Sequence, residues 1–185
     1  MTRLAALMIA GLLACTPQFA GAQEQRPAQS SDIRDWLFEA LKTAPTQQIG
    51  TEVANQIWRH WFQQAPDATA SELMAAATKR RREYDFAGAI EILDKLVEHS
   101  PEWAEAWNQR ATVLFFQDRF DESLEDVDKV LELEPKHFGA LAGKGVILMR
   151  QGRMQLSQKA LRRAVEIHPW IQERNLLLNV PGEDL

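Results

Sequence analysis

The stretch Ala104–His137, AEAWNQRATVLFFQDRFDESLEDVDKVLELEPKH, decides the fold of this chain. Apolar residues recur at helical spacing over 106–117 and again over 120–134, and a polar turn at 117–119 separates the two segments. Pro135 ends the second segment, because proline lacks an N–H and disfavours helical geometry at the residue before it. The stretch therefore predicts two antiparallel helices, A and B, joined as a hairpin.

This hairpin resembles the tetratricopeptide repeat (TPR), a helix–turn–helix motif of 34 residues. The residues that carry the resemblance are Trp107, Ala111, Leu114, Ser123, Val127, Val130 and Pro135. A repeat of this kind cannot bury its apolar face alone, so the resemblance implies that neighbouring repeats stack into a solenoid.

The 34-residue spacing extends to both sides of this stretch, since Pro101, Pro135 and Pro169 are 34 residues apart. Other columns keep the same register: Ala77, Ala111 and Gly145; Phe86, Phe120 and Met154; Ala89, Ser123 and Ser157; Leu93, Val127 and Leu161. We therefore predict repeats at 70–103, 104–137 and 138–171. Ala76, Arg110 and Lys144 depart from the family pattern, which usually has leucine there.

Two flanking segments complete the predicted fold. Residues 32–66 read as a helical hairpin, a degenerate leading repeat, in which Trp58, Trp61 and Phe62 form an aromatic stripe. We expect this stripe to pack against the next repeat; the alternative is an exposed partner or membrane surface. Residues 172–185 form a cap and tail, with a short helix over 170–180. The predicted fold class is all-α, a helical-hairpin solenoid of three TPRs with a leading degenerate hairpin and a short C-terminal cap.

The N-terminus predicts export. Arg3, the apolar run Leu4–Ala14 and the small residues Ala20-Gly21-Ala22 are typical of a signal peptide over 1–22, cleaved before Gln23. A competing interpretation is a lipobox ending at Cys15, which would make the protein a membrane-anchored lipoprotein; an uncleaved anchor is a third. Residues 23–31 are expected to be a disordered tether. The expected location is the periplasm, without membrane attachment unless Cys15 is lipidated.

Motifs of catalysis do not occur in the chain. There is no Gly-rich phosphate loop, G-x-S-x-G or H-E-x-x-H pattern, so we expect no enzyme activity and no cofactor. The histidines His99, His137 and His168 fall at the ends of successive helices B, too far apart for one metal ion, so no metal site is expected. The formal net charge of −5 argues against nucleic acid as a partner.

The resemblance implies that the inner face of the helices A binds a protein or peptide. On the 34-residue register, the predicted partner-binding residues are Met74, Arg81, Asn108, Thr112, Phe115, Val146, Met149 and Arg150. The groove would be apolar at its centre with arginines at both ends, although curvature of the solenoid could instead bury Phe115 and Phe116. The implied function is a non-catalytic interaction scaffold of the bacterial envelope; the alternative is an accessory or regulatory subunit that docks an envelope enzyme or cell-wall complex.

Overall fold

A computed structural model describes residues 30–178, which form eight α-helices and one 3-10 segment. The elements are α1 (Ser30–Lys42), α2 (Gln47–Phe62), α3 (Ala68–Arg82), α4 (Phe86–His99), α5 (Ala104–Phe116), α6 (Phe120–Leu133), α7 (Phe138–Arg150), α8 (Met154–Ile167) and the 3-10 segment Gln172–Leu176. The expected signal peptide, with Cys15 and the cleavage site, lies outside the described residues. None of these helices is long and apolar enough to cross a membrane.

The pairs α3/α4, α5/α6 and α7/α8 are three hairpins with the same backbone geometry. Each turn contains one residue with positive φ, at Tyr84 (61°), Asp118 (56°) and Gly152 (74°), and these residues are 34 apart. The predicted all-α solenoid of helical hairpins is therefore confirmed, with its register visible in the backbone.

Small residues allow the two helices of a hairpin to approach closely. The buried hydroxyls of Ser123 and Ser157 donate to the carbonyl oxygens of Ala111 (2.8 Å) and Gly145 (2.7 Å) on the facing helix. A Cβ at Gly145 would lie 2.6 Å from Cγ of Leu161. The serine hydroxyls are thus hydrogen-bonded within their own hairpin. Neither the column of Ser123 and Ser157 nor the column of Ala111 and Gly145 tolerates a larger side chain.

Arg110, which stands where the family usually has leucine, joins three successive helices. Its guanidinium donates to both carboxylate oxygens of buried Asp126 on α6 (2.7 and 2.8 Å) and to Asp94 on α4 (3.0 Å). Burial raises the pKa of Asp126 against the lowering effect of Arg110. In place of the usual leucine, Arg110 thus forms a bidentate pair with Asp126. This pair satisfies a carboxylate that would otherwise be buried without a partner.

The leading hairpin α1/α2 packs across the solenoid instead of stacking in line with it. Its buried side chains share one core with α7 and α8: Leu37, Phe38, Leu41, Val53, Ala54, Ile57 and Trp61 meet Phe138, Leu141, Ala142, Ala164 and Ile171. The expectation that the aromatic stripe packs against the next repeat is therefore wrong for Trp58 and Trp61, whose rings contact Phe138 at the start of the third repeat. Phe62 alone lines a cavity with α3.

The docking surface for this hairpin is the row of turns that connect one repeat to the next. Trp103 Nε1 donates to the carbonyl of Trp61 (2.9 Å), and Trp170 Nε1 donates to that of Ala44 (2.8 Å). His137, in the turn between them, stacks on the Trp61 ring with centroids 4.0 Å apart. One hairpin thus touches both inter-repeat turns and the turn that follows the third repeat, and it ties the repeats together.

The C-terminal cap is shorter than expected. A 3-10 segment replaces the predicted short helix over 170–180, and Gln158 on α8 holds it by bonds to the carbonyl of Leu176 (3.0 Å) and the N–H of Leu178 (2.8 Å). Ile171 is buried in the shared core, whereas Leu176 and Leu178 are exposed. The cap therefore covers α8 mainly through polar contacts with the backbone.

Candidate binding groove

The groove lies along the face of α3, α5 and α7 that the sequence predicts to bind a partner, and α2 fills part of it. On α7, a Cβ at Gly139 would lie 2.7 Å from the indole ring of Trp58. Ala142, on the same face, is 3% exposed and belongs to the core shared with α2. Trp58 and the shared core therefore cover part of this face at the start of α7.

One helical turn further along α7 the groove is open. A Cβ at Gly143 would meet no atom within 4 Å, so this glycine exposes bare backbone to a cavity of about 230 Å³. The cavity is lined by Asn108, Ala111, Thr112, Phe115, Ser123, Val127, Gly139, Ala140, Gly143, Val146, Ile147 and Glu173. It is mostly apolar, and its volume suits one or two side chains of a partner.

A buried polar network forms the floor beside this cavity. Nδ1 of His137 accepts from the N–H of Ala140 (3.0 Å), so its proton is on Nε2, which faces the carboxylate of Glu105 at 3.3 Å. The same carboxylate accepts from the side-chain amides of Asn108 (3.2 Å) and Gln109 (2.7 Å). Glu105 and His137 are fully buried, so each depends on these partners, and the network fixes Asn108 in place.

Phe115 occupies the mouth of the cavity. Its half-buried ring contacts Phe116 and Phe120, each with a centroid distance of 5.8 Å. The guanidinium of exposed Arg150 lies 5.9 Å from the centroid of the Phe115 ring, within the range of a cation–π contact. Glu173 is the acidic side chain of this cavity lining.

A second, larger cavity of about 580 Å³ lies between α3 and the end of α2. Its walls include Phe62, Met74, Thr78 and Trp103, with Lys79, Arg82 and Glu83 at its rim. Met74 is 5% exposed and packs in the core of the first repeat. This cavity is separate from the one between α5 and α7, so the groove consists of two compartments.

His168 lies beside Phe138, near the start of α7. It is buried, its ring packs edge-on against Phe138 at 5.1 Å, and its Nδ1 has no hydrogen-bond partner among the described residues. Burial lowers its pKa to about 4, because the charged form loses its hydration. Within residues 30–178, no three His, Cys, Asp or Glu side chains come together as metal ligands would.

Comparison with known proteins decides the family. A family model described as tetratricopeptide repeat matches residues 108–169. A TPR repeat-containing protein of Rhizobium etli is 35% identical over 164 residues, which cover 88% of this chain and 80% of the relative. The chain belongs to the tetratricopeptide-repeat family. The TPR fold is that of a protein–protein interaction scaffold, and modules of this family are generally non-catalytic.

Solved TPR domains share the fold at low sequence identity. The first TPR of Spaghetti (RPAP3), bound to an HSP90 peptide, has a TM-score of 0.57 at 18% identity and covers 58% of this chain and 86% of its own. The TPR2B domain of yeast Sti1, in complex with Hsp70, has a TM-score of 0.56 at 19% identity, with 60% and 91% covered. MamA matches 76% of this chain and 75% of its own with a TM-score of 0.53 at 16% identity.

The TPR groove brings only some of the predicted partner residues together. Asn108, Thr112, Phe115 and Val146 line the cavity between α5 and α7, and Arg150 lies at its mouth. Met149 is half-buried next to Arg150 in the chain. Met74 belongs to the other compartment, and Arg81 is half-buried with an Nε that has no partner among the described residues.

The roles of two residues of the site were not predicted from the sequence. Gly143 leaves the cavity open, and its signal was available: a glycine inside a helix costs about 1 kcal/mol relative to alanine, and no close helix contact accounts for this one. Glu105 holds the floor, but its partner His137 lies 32 residues away and no local pattern joins them.

Proposed function

We propose that this TPR protein is a non-catalytic scaffold of the bacterial cell envelope that binds a protein segment in the open half of its groove. The observation that carries the proposal is the cavity of about 230 Å³ between α5 and α7, which Gly143 leaves open and Phe115 borders. A half-buried aromatic ring at the edge of an apolar pocket is the usual type of binding hot spot.

The character of the cavity defines the segment. Its apolar walls suit an apolar side chain of the partner, and Thr112 and Asn108 add polar groups near the floor. Arg150 beside the Phe115 ring and the arginines in the last turn of α3 favour acidic residues around that side chain. The two peptide complexes among the similar structures support a peptide as the ligand class.

The envelope setting rests on the N-terminal sequence. We propose export through the signal peptide 1–22, with a mature N-terminus at Gln23 in the periplasm. Intact-mass measurement of the protein expressed in a Gram-negative host tests this. A mass that corresponds to an acylated Cys15 would contradict cleavage before Gln23 and make the protein a lipoprotein.

Selection from a random peptide library displayed on phage tests the binding function. We expect enriched peptides that carry an apolar residue with acidic neighbours, and dissociation constants measured by fluorescence anisotropy should rise at least about tenfold for Phe115→Ala and for Arg150→Glu. Phe120→Ala is the matched control, since Phe120 touches Phe115 but does not line the cavity. Failure to enrich any peptide, or unchanged affinity in both groove variants, would contradict the proposal.

A further inference from the structure

A chain of aromatic rings leads out of the groove to the outer edge of the first repeat. We name it the ring ladder: Phe115, Phe116, Phe86 and Tyr84. Successive ring centroids are 5.8, 5.5 and 6.1 Å apart, and the Phe116 and Phe86 planes are nearly parallel, at 15°. The ladder begins at the mouth of the proposed binding cavity and spans two repeats.

The outer end of the ring ladder is exposed and strained, and both features disfavour the folded state. Tyr84 is 82% exposed and Phe116 is 51% exposed, so the ladder leaves aromatic surface in water. Tyr84 also has a φ of 61°, a conformation that a bulky residue rarely adopts. The equivalent positions hold Asp118 and Gly152, both of which accept positive φ more readily.

A run of cations directly precedes this end of the ladder in the chain. The last turn of α3, directly before Tyr84, carries Lys79, Arg80, Arg81 and Arg82. Arg80 pairs with Asp85 at 2.8 Å, while the other three make no ion pair within the described part of the chain. The acidic side chains nearby are Asp85, which also caps α4, and Glu83. Over residues 79–85, the four cations exceed the two acids.

We propose that the ring ladder and these cations form a second contact area for the protein segment bound in the groove, one that selects an aromatic side chain with acidic neighbours. The proposal rests on the groove function proposed above and extends it by naming the chemistry of the segment. Aromatic side chains stack on exposed rings, and carboxylates pair with guanidinium groups that lack an internal partner. Contact with the bound segment then gives the strained, exposed Tyr84 a role other than stabilising the fold.

Tyr84 is the one tyrosine of the sequence, so 3-fluorotyrosine gives a single ¹⁹F resonance from the end of the ladder. The probes are an acetylated twelve-residue peptide with Phe at its centre and Asp and Glu on both sides, and the same peptide with Lys in place of every acid. We expect the acidic peptide to shift the resonance in a saturable way and the Lys peptide to leave it unchanged. Absence of a shift with the acidic peptide would overturn the proposal.

Matched variants separate binding from stability. Tyr84→Gly should weaken binding of the acidic peptide about tenfold while raising the melting temperature, because it removes the strain. Asp118→Gly, the same change at the equivalent turn, should raise the melting temperature without weakening binding. Equal affinity in the parent and Tyr84→Gly would overturn the proposal.

Two further outcomes keep this inference distinct from the groove function. If library peptides bind by anisotropy but never move the ¹⁹F resonance, the ladder is not a contact area and the groove function stands. If the resonance shifts with protein concentration in the absence of peptide, the ladder joins two copies of the chain, which also overturns the proposal.

Discussion

Two glycines on one face of α7 divide the groove into a filled half and an open half. Gly139 lies under the indole of Trp58, whereas Gly143, one helical turn later, faces empty space. Both positions belong to the surface on which TPR proteins bind partners. The difference shows that α2 occupies one half of this face and leaves the other half open, where we propose that a ligand binds.

The aromatic residues of the two halves differ in burial and therefore in their expected roles. Trp61 in the filled half is 1% exposed and stacks on His137, so its ring contributes to folding. Phe115 in the open half is only half-buried and borders the cavity. Substitutions in the filled half should therefore act on stability, and substitutions in the open half should act mainly on binding.

The largest effect is expected from Trp61→Ala, which empties the centre of the filled half. Loss of a fully buried aromatic side chain should lower the free energy of unfolding by about 3–5 kcal/mol, measured by urea denaturation. Trp36→Ala is the matched control, because Trp36 is 63% exposed on the neighbouring helix and should change stability by less than about 0.5 kcal/mol. Equal losses in both variants would refute the description of the filled half.

A smaller loss is expected from Gly139→Ala. The new methyl group would meet the Trp58 ring at 2.7 Å and push it away from α7, and overpacking of this kind costs about 1–3 kcal/mol. Thermal melting measures the effect. A variant as stable as the parent would mean that α2 does not close this part of the groove.

Acid should weaken the filled half through His168. Its pKa of about 4 in the folded state lies below the ordinary value of 6.5, so the unfolded state binds the proton more readily. Stability from the neutral ring is complete above pH 6.5 and is lost as the pH falls toward 4. His168→Gln should therefore flatten the decline in melting temperature between pH 7 and pH 4.5, and an unchanged decline would contradict this role of His168.

The smallest effect, and one of opposite sign, is expected from Gly143→Ala. The methyl group enters open space, and alanine favours the helix over glycine by up to about 1 kcal/mol. The melting temperature should rise by a few degrees. A fall would show that Gly143 has a packing partner and that the open half is not open.

The repeats could be predicted from sequence because their determinants are local and periodic. Prolines at one interval and small residues in one column fix the register, and the positive φ at Tyr84, Asp118 and Gly152 follows it. The docking of α1/α2 could not be predicted in this way. An amphipathic stripe shows that a helix needs a partner, but the choice of partner depends on tertiary surfaces such as the turn that presents His137.

The candidate site could be predicted only in part, because its residues follow the repeat register but its walls depend on tertiary packing. Family register placed Thr112, Phe115 and Val146 on one face, and they line one cavity. The register does not indicate which side chains cover that face. Only the tertiary packing shows that Trp58 covers Gly139 and that no atom covers Gly143. The contact between Glu105 and His137 was missed because a buried pair 32 residues apart leaves no local pattern in the sequence.

Gly143→Leu tests the central claim, that the open half of the groove is the partner site. The leucine side chain would fill the cavity from a position where its Cβ meets no other atom, and Gly143→Ala is the control that keeps most of the cavity. The measurement is the dissociation constant of a library-selected peptide for the parent and both variants, together with their melting temperatures. We predict that Gly143→Leu abolishes peptide binding without melting earlier than the parent, while Gly143→Ala still binds. Peptide binding of parental affinity in folded Gly143→Leu would contradict the account.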